Sequence, residues 1–502
     1  MKIQILVIII LYLFKEINGI TSNTIKIKFK TFKFFDENNS LINWERGMKS
    51  SYKEKYIYYD LILNNIYSEI LIGSPPRKII GFYSGKSEHF SIIHDKCFIE
   101  TSKYDRTESN TFRNISEFKI NFKKYKNGCF AKENFKFESY DDRKEIIFKD
   151  LKFYLADDYK LNDEKNKIEN TCAIIGLRLN YQDMFIENPK NFIYYLMQYF
   201  NNIKKLNNDF LLNSYYWTIN FDNNDINTGY ISIGEPPHIY DYENHKKEKF
   251  YEFNMQAKYS TMNWVIQFKH IFIKGKKDIN ENKFDIFYLK KYSDAHNCIF
   301  YPELNIILST NDYFNYIKIE FFRKFVEKRI CFLEKVLISE FNSTIIEGLN
   351  GMYSIFYCDK NKILEYDINK FYGEFPSLNF YHSYLNFTFY FNATDLFYLN
   401  NNQNKLYFLI GNKNNEVDQW IFGKTFMKKY QFIFNSEMKT LGFYILNDND
   451  NNRDIGKKNY IGIIILIIII FVIFFILMAY KYKNFLVKKK NIIANEMELI
   501  QR

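Results

Sequence analysis

The sequence predicts an all-β fold. From Tyr56 onward, short runs of aromatic and β-branched residues are interrupted by Asn, Asp, Gly and Lys. Runs of this kind are typical of β-strands joined by turns. The 502 residues also provide enough length to bury a large core. We therefore expect many strands and few helices, with one helix in residues 188–208, where apolar residues recur at helical spacing.

The charge of the chain gives little information about its partners. The formal net charge is +11, a weak indication of anionic partners. Part of this charge lies in the C-terminal tail, and no RNA- or DNA-binding motif accompanies it. The many aromatic residues are more simply explained by core packing than by a binding site. We predict no nucleic-acid partner, no cofactor and no metal site.

Both ends of the chain carry apolar segments. Residues 1–20 have the pattern of a secretory signal peptide, whose apolar core is too short to span a bilayer. Residues 460–480 form an apolar run long enough to cross a hydrocarbon core of ~30 Å, after a polar linker at 447–459.

Lysines follow this run at once, so the positive-inside rule places the tail, residues 481–502, in the cytosol. We expect a single-pass protein of a secretory-pathway membrane: the ER, a secretory organelle or the cell surface. Its ectodomain would be lumenal or extracellular. All six cysteines fall in that portion, where disulfides form, but the residues alone do not select a pairing.

One stretch carries a family resemblance. Residues 70–90 contain the turn Ile-Gly-Ser-Pro-Pro, a second hydrophobic run, and then Tyr83-Ser84-Gly85-Lys86-Ser87. This order resembles the start of the pepsin-like aspartic proteases, in which Ile-Gly-Thr-Pro-Pro precedes the catalytic Asp-Thr-Gly-Ser-Ser. The resemblance places Tyr83 where the family has its first catalytic aspartate, and Ser84 and Gly85 beside it in the cleft.

Further landmarks follow in the order that the family has them. The flap hairpin corresponds to residues 118–135, with Phe122 at the flap tyrosine and a tight turn predicted at Asn127-Gly128. Residues 172–177 resemble the family's Asp-Gly-Ile-Leu-Gly-Leu element, in which a glycine lets the strand pass beneath the catalytic turn. Similar matches occur at 215–234, 259–275 and 420–443.

The second catalytic turn also lacks its aspartate. Residues 298–317 align without gaps to the family pattern, and this alignment places Tyr301 at the aspartate position, followed by Pro302 and Glu303. A rival alignment uses Tyr292, followed by Ser293 and Asp294. In both alignments a tyrosine replaces the acid, and no Asp-Ser/Thr-Gly triplet is present at either turn.

The resemblance extends from about residue 56 to residue 446 and is greatest to the membrane-anchored plasmepsin branch. It implies two lobes, residues 57–210 and 211–446, after an N-terminal extension or pro-segment at 21–56. It also implies a disulfide between Cys331 and Cys358, because C-terminal lobes of this family often close a loop there.

The substitutions remove the chemistry that the family uses. Pepsin-like catalysis needs two carboxylates that share a proton, whereas a phenol with a pKa near ~10 is a poor general base. We therefore expect an inactive protein that binds a peptide or protein partner in the cleft. One alternative is a divergent active protease that uses Asp294 or Glu303 as a displaced acid. Another is a structural or adhesive ectodomain, with Tyr83 and Tyr301 stacked across a filled cleft.

Overall fold

β-strands dominate the computed structural model of the protein, as the sequence predicts. The structure describes residues 24–33, 53–87, 89–94, 102–118, 128–141, 145–156, 171–179, 190–204, 212–222, 227–255, 263–277, 284–288, 296–338, 351–400, 403–413 and 419–445. The described residues all belong to one compact unit within Met1–Leu446. The predicted signal peptide, linker, membrane helix and cytosolic tail lie outside the described residues. Within the described ranges, no helix combines the length and apolar character that crossing a membrane requires.

The described residues contain strands throughout their length. In chain order these are Ile25–Phe32 (β1), Asn65–Ile72 (β2), Arg77–Ser84 (β3), Phe90–His94 (β4), Arg113–Phe118 (β5), Gly128–Glu138 (β6), Glu145–Ala156 (β7), Thr171–Gly176 (β8), Tyr216–Phe221 (β9), Thr228–Gly234 (β10), Phe250–Asn254 (β11), Val265–Phe268 (β12), His270–Lys277 (β13), Phe284–Tyr288 (β14), His296–Phe300 (β15), Ile307–Leu308 (β16), Cys331–Ile338 (β17), Gly351–Asp359 (β18), Ser377–His382 (β19), Phe387–Phe391 (β20), Phe397–Asn400 (β21), Lys405–Phe408 (β22), Ile410–Lys413 (β23), Trp420–Phe422 (β24), Phe432–Asn435 (β25) and Thr440–Tyr444 (β26).

The helices are short. They are Lys53–Ile62 (α1), Phe192–Lys204 (α2), Pro237–Tyr240 (α3), Asn311–Ile317 (α4), Arg323–Glu327 (α5), Lys360–Tyr366 (α6), Ile368–Glu374 (α7), Ala393–Leu396 (α8) and Lys424–Tyr430 (α9). Helix α2 lies within the range predicted from the apolar spacing, and its Phe192 packs against Phe90 and Phe137 on the sheet.

The strands of the described residues form three sheets. A 13-stranded sheet, the large sheet, has the order β11-β26-β25-β9-β10-β1-β2-β3-β8-β4-β7-β6-β5. A 9-stranded sheet, the second sheet, runs β12-β15-β24-β16-β23-β18-β22-β21, with β17 paired to β18. A 4-stranded sheet has the order β14-β13-β19-β20. The large sheet therefore joins strands from the beginning of the chain to strands from its end.

Part of the predicted N-terminal extension belongs to the large sheet. Strand β1 pairs antiparallel with β10 on one side and with β2 on the other. Its Ile25, Ile27 and Phe29 are buried, because alternate residues of a strand face the core. On the opposite face Lys28 is paired with Glu138 at 2.6 Å and Lys30 with Glu69 at 2.9 Å. Strand β1 is thus fixed by both of its faces and both of its edges.

Helix α1 packs on the second sheet. Its Tyr58, Tyr59 and Ile62 are buried in one apolar cluster with side chains that include Tyr353 and Tyr407. The aromatic residues that dominate the composition are used in the same way elsewhere, since most of the large ones are buried and make ring contacts. The aromatic content of the described residues is therefore accounted for by core packing.

The disulfide implied by the family resemblance is confirmed. Cys331 and Cys358 are bonded and lie directly opposite each other in the antiparallel pair β17–β18. Cys172 is also disulfide-bonded, whereas Cys298 is a buried thiol whose pKa is raised well above its ordinary value by burial.

Candidate functional site

Two turns with similar surroundings form the candidate site. The first turn, residues 83–87, begins in the last two residues of β3, and the second turn, residues 301–305, follows β15. Strand β3 pairs in parallel with β8, which ends at Gly176. Strand β15 pairs in parallel with β24, which Gly423 follows. The two turns are therefore built by the same local arrangement in two different sheets.

A glycine lies beneath each turn because no side chain fits there. A Cβ atom on Gly176 would lie 2.7 Å from the carbonyl oxygen of Ser87. A Cβ atom on Gly423 would lie 2.4 Å from the carbonyl oxygens of Leu304 and Ile306. The backbone also fixes the first turn from below, since the N–H of Leu177 donates to the carbonyl of Ser84 at 2.8 Å.

The Tyr83 side chain is directed toward strand β2. It is 3% exposed, and its hydroxyl lies 2.9 Å from the hydroxyl oxygen of Ser68 on β2. Ser68 uses its own proton to donate to the carbonyl of Lys28 at 2.6 Å, so Tyr83 is the donor in its bond with Ser68. Burial raises the pKa of the Tyr83 phenol above its ordinary value. The phenol is a neutral structural group at physiological pH.

Tyr301 remains in the second turn, where it is half-buried. Its backbone N–H donates to Phe422 at 2.9 Å, and its ring packs on the apolar cluster around helix α1. Burial raises the pKa of this phenol, nearby Glu303 raises it further, and the charge of Arg178 opposes both. Tyr83 and Tyr301 make no ring contact with each other, so the predicted stacking of the two tyrosines is wrong.

Glu303 bridges the two turns. One carboxylate oxygen, Oε1, accepts from the Ser84 hydroxyl at 3.0 Å and from the Lys86 N–H at 3.1 Å. The other, Oε2, accepts from the Gly85 N–H at 2.9 Å. The residue is 6% exposed, and burial raises the pKa of its carboxyl, while the hydrogen bonds from Gly85, Ser84 and Lys86 oppose that rise.

The contact between the turns is close as well as polar. A Cβ atom on Gly85 would lie 2.4 Å from Cδ of Pro302 and 3.3 Å from Oε2 of Glu303. Gly85 is thus required by the approach of the second turn. Together, Ser84, Gly85 and Glu303 form one buried connection, which we call the interturn bridge.

Residues that the sequence reasoning missed hold the second turn in place. The N–H of Asn64 donates to the carbonyl of Glu303 at 2.7 Å, and its side-chain amide donates to the carbonyl of Pro302 at 3.0 Å. The side-chain amide of Asn305 donates to the carbonyls of Asp60 and Leu63 at 2.7 and 2.8 Å. Nothing in so asparagine-rich a chain distinguishes these two residues by sequence.

Another connection joins β8 to the second sheet. The indole N–H of Trp264 donates to the carbonyl of Leu177 at 2.8 Å, and the indole is 1% exposed. The next residue, Arg178, has a buried Nε atom without a hydrogen-bond partner. The positive charge of Arg178 lies near the second turn, where it opposes the rise in the pKa of Tyr301.

The predicted flap residues have a different outcome. Gly128 is the first residue of β6 and pairs with Phe118 of β5, so the predicted tight turn at residues 127–128 is wrong. Strands β5 and β6 pair antiparallel, and residues 119–127, which connect them, lie outside the described residues. In β6, Gly128 leaves room for the Tyr154 side chain, since a Cβ atom there would lie 2.1 Å from the Tyr154 hydroxyl. Phe122, Tyr292 and Asp294 lie outside the described residues.

In the two turns, residues 83–87 and 301–305, the one carboxylate is that of Glu303, and Ser84, Gly85 and Lys86 donate to it. A carboxylate that accepts three hydrogen bonds in a buried position has little capacity left to activate a water molecule. No protein-family model matches the chain, and no curated protein matches it significantly. Any functional assignment therefore depends on the geometry of these residues.

Proposed function

We propose that the chain is a membrane-anchored protein with a bilobal, pepsin-like fold that lacks aspartic-protease activity and binds a peptide or protein segment between its lobes. The lobes would be residues 57–210 and 211–446, each contributing one of the two turns. The paired turns, each with a glycine beneath it, support this fold. The apolar segments at residues 1–20 and 460–480 support secretion and anchoring.

The interturn bridge carries the proposal of inactivity. In a pepsin-like protease, two carboxylates occupy the position between the turns and share a water molecule. Here the hydroxyl of Tyr83 is bonded to Ser68, and the carboxylate of Glu303 is occupied by Ser84, Gly85 and Lys86. The acid is used to hold the turns together.

The polar groups around Tyr301 support binding. Tyr301 is half-buried, and the Nε atom of Arg178 has no hydrogen-bond partner in the described part of the chain. The guanidinium of Arg178 as a whole is half-buried and can donate to a ligand carbonyl or carboxylate. A peptide supplies both kinds of group, which makes it the ligand class that we favour.

One observation favours a second candidate, a divergent aspartic endopeptidase. Glu303 lies between the turns, and burial raises the pKa of its carboxyl, as in a general acid. Catalysis would still require a second acid, for which Asp294 is the candidate from the sequence. This alternative predicts cleavage that depends on both carboxylates.

Digestion of a peptide library separates the two candidates. The full-length chain, purified in detergent, is incubated with the library between about pH 4 and pH 7.5, beside an Asp294→Asn/Glu303→Gln variant. The proposal predicts intact peptides throughout. Cleavage that disappears in the variant would establish the protease and overturn the proposed inactivity.

Capture of intact peptides tests the binding part. Arg178→Gln is expected to reduce peptide capture, because the guanidinium lies by the second turn. Arg323→Gln is the matched control, since Arg323 is exposed on α5. Capture that is equal in wild type, Arg178→Gln and Arg323→Gln would show that peptides do not bind at this site.

A further inference from the structure

Two lysines of the large sheet and a third at the entry of helix α2 lie near one another, at a distance in sequence from both turns. Lys132 on β6 lies directly opposite Lys152 on β7. The Nζ atom of Lys152 lies 5.8 Å from the ring centroid of Tyr195, and the Tyr195 hydroxyl accepts from the N–H of Lys190 at 3.0 Å. Lys132, Lys152 and Lys190 therefore surround the beginning of helix α2, and we call them the lysine triad.

No carboxylate neutralises the lysine triad within the described ranges. Other lysines of the same sheet are paired, for example Lys28 with Glu138 and Lys136 with Glu145. The nearby Arg113, which lies opposite Lys132, has Asp150 at 3.6 Å. The triad thus brings together three half-buried cations that have no ion-pair partner among the described residues.

This arrangement lowers the stability of the unliganded protein. Like charges directly opposite each other in an antiparallel pair repel, and all three lysines are half-buried. Burial lowers the pKa of Lys152, and the charges of Lys132 and Lys190 lower it further. An anion between the ammonium groups would replace this repulsion with attraction.

The geometry points to a tetrahedral oxyanion: we propose that the lysine triad binds a phosphate or sulfate group. Three ammonium groups from two strands and a helix entry can each donate to a different oxygen of such a group. The first turn of helix α2 contains no acidic residue that would repel it. The rings of Tyr195 and Phe130, which lie beside Lys152, form an apolar wall on one side. This inference is independent of the function proposed for the two turns.

Thermal unfolding of the full-length chain in detergent tests the proposal. Inorganic phosphate and sulfate are expected to raise the Tm relative to chloride at equal ionic strength. Lys132→Gln/Lys152→Gln is expected to weaken phosphate binding by roughly ten-fold or more, because two charge-assisted contacts are lost. A Lys190→Gln variant, which leaves the two strands unchanged, is expected to weaken binding in the same direction.

Lys136→Gln is the matched control, because Lys136 lies on the same strand and is paired with Glu145. It is expected to keep the wild-type response to phosphate. A soluble short-chain phosphatidylinositol 4-phosphate distinguishes the sources: a shift with this lipid but not with inorganic phosphate would assign the site to a lipid headgroup. Equal shifts in wild type and the double variant, or no shift with any of these anions, would overturn the proposal.

Discussion

The carboxylate of Glu303 accepts a hydrogen bond from the hydroxyl of Ser84 at 3.0 Å, although the two residues are 219 positions apart in the chain. The same carboxylate accepts from the backbone of Gly85 and Lys86, so both of its oxygens are occupied. It connects strand β3 of the large sheet to strand β15 of the second sheet. We infer that this acid contributes to stability rather than to hydrolysis.

Replacing Glu303 by glutamine is expected to destabilise the protein by about 1–3 kcal/mol. The amide keeps one acceptor oxygen, but its NH₂ group takes the place of the oxygen that accepts from the Gly85 N–H. The Gly85 N–H is then a buried donor without a partner. Denaturant unfolding monitored by fluorescence measures the change. Glu320→Gln is the control, since Glu320 is exposed, and it should change stability little. Equal stability of both variants would contradict the bridging role.

Stability should depend on pH through the same residue. Burial raises the pKa of Glu303 in the folded protein above its ordinary value of 4.5, so between these two pKa values the folded state binds more protons than the unfolded state. The free energy of unfolding therefore falls as the pH rises through this interval. The advantage of wild type over Glu303→Gln should accordingly shrink from the acidic side toward neutral pH. Parallel pH profiles of the two proteins would exclude this linkage.

Tyr83→Phe is expected to cost about 0.5–1.5 kcal/mol, because it removes one buried hydrogen bond while Ser68 keeps its bond to Lys28. Thermal or denaturant unfolding provides the measurement. Tyr384→Phe is the control, since Tyr384 is 71% exposed and should tolerate the change. A loss in Tyr83→Phe no larger than in this control would show that the hydroxyl has no structural role.

Gly85→Ala should destabilise the protein by about 1–3 kcal/mol, because the new methyl group would overlap Pro302. Gly373→Ala serves as the matched control. Gly373 is exposed within α7, where alanine favours the helix by up to about 1 kcal/mol. Opposite signs of the two changes in unfolding free energy are expected. A neutral Gly85→Ala would mean that the turns separate readily.

Removal of the Cys331–Cys358 disulfide is expected to cost about 3–4 kcal/mol, from the loop-closure entropy of a separation of 27 residues. A Cys331→Ala/Cys358→Ala variant, measured beside wild type in oxidising and in reducing buffer, tests this. Reduction should destabilise wild type by more than it destabilises the variant, because the variant has already lost this disulfide. If the variant equals oxidised wild type in stability, the disulfide adds nothing to the fold.

Family resemblance and local pattern together anticipated several features of the described residues. Alternating short runs predicted the strands, helical spacing predicted α2, and the glycine beneath the first turn was anticipated at Gly176. The prediction at residues 127–128 failed because a glycine that suits a turn also suits a crowded strand position. Here Gly128 lies against Tyr154, and only the pairing of β6 with β7 brings these residues together.

The sequence by itself determined the all-β character of the protein and the presence of tyrosine, and not aspartate, at positions 83 and 301. Strand preference and residue identity are local properties, which the sequence carries directly. It did not determine the direction of Tyr83, the three donors around Glu303 or the lysine triad. Those contacts depend on sheet order and strand register, which place residues more than 200 positions apart beside each other. Only the tertiary structure shows that the carboxylate of Glu303, which the sequence suggested as a displaced catalytic acid, accepts hydrogen bonds from the first turn.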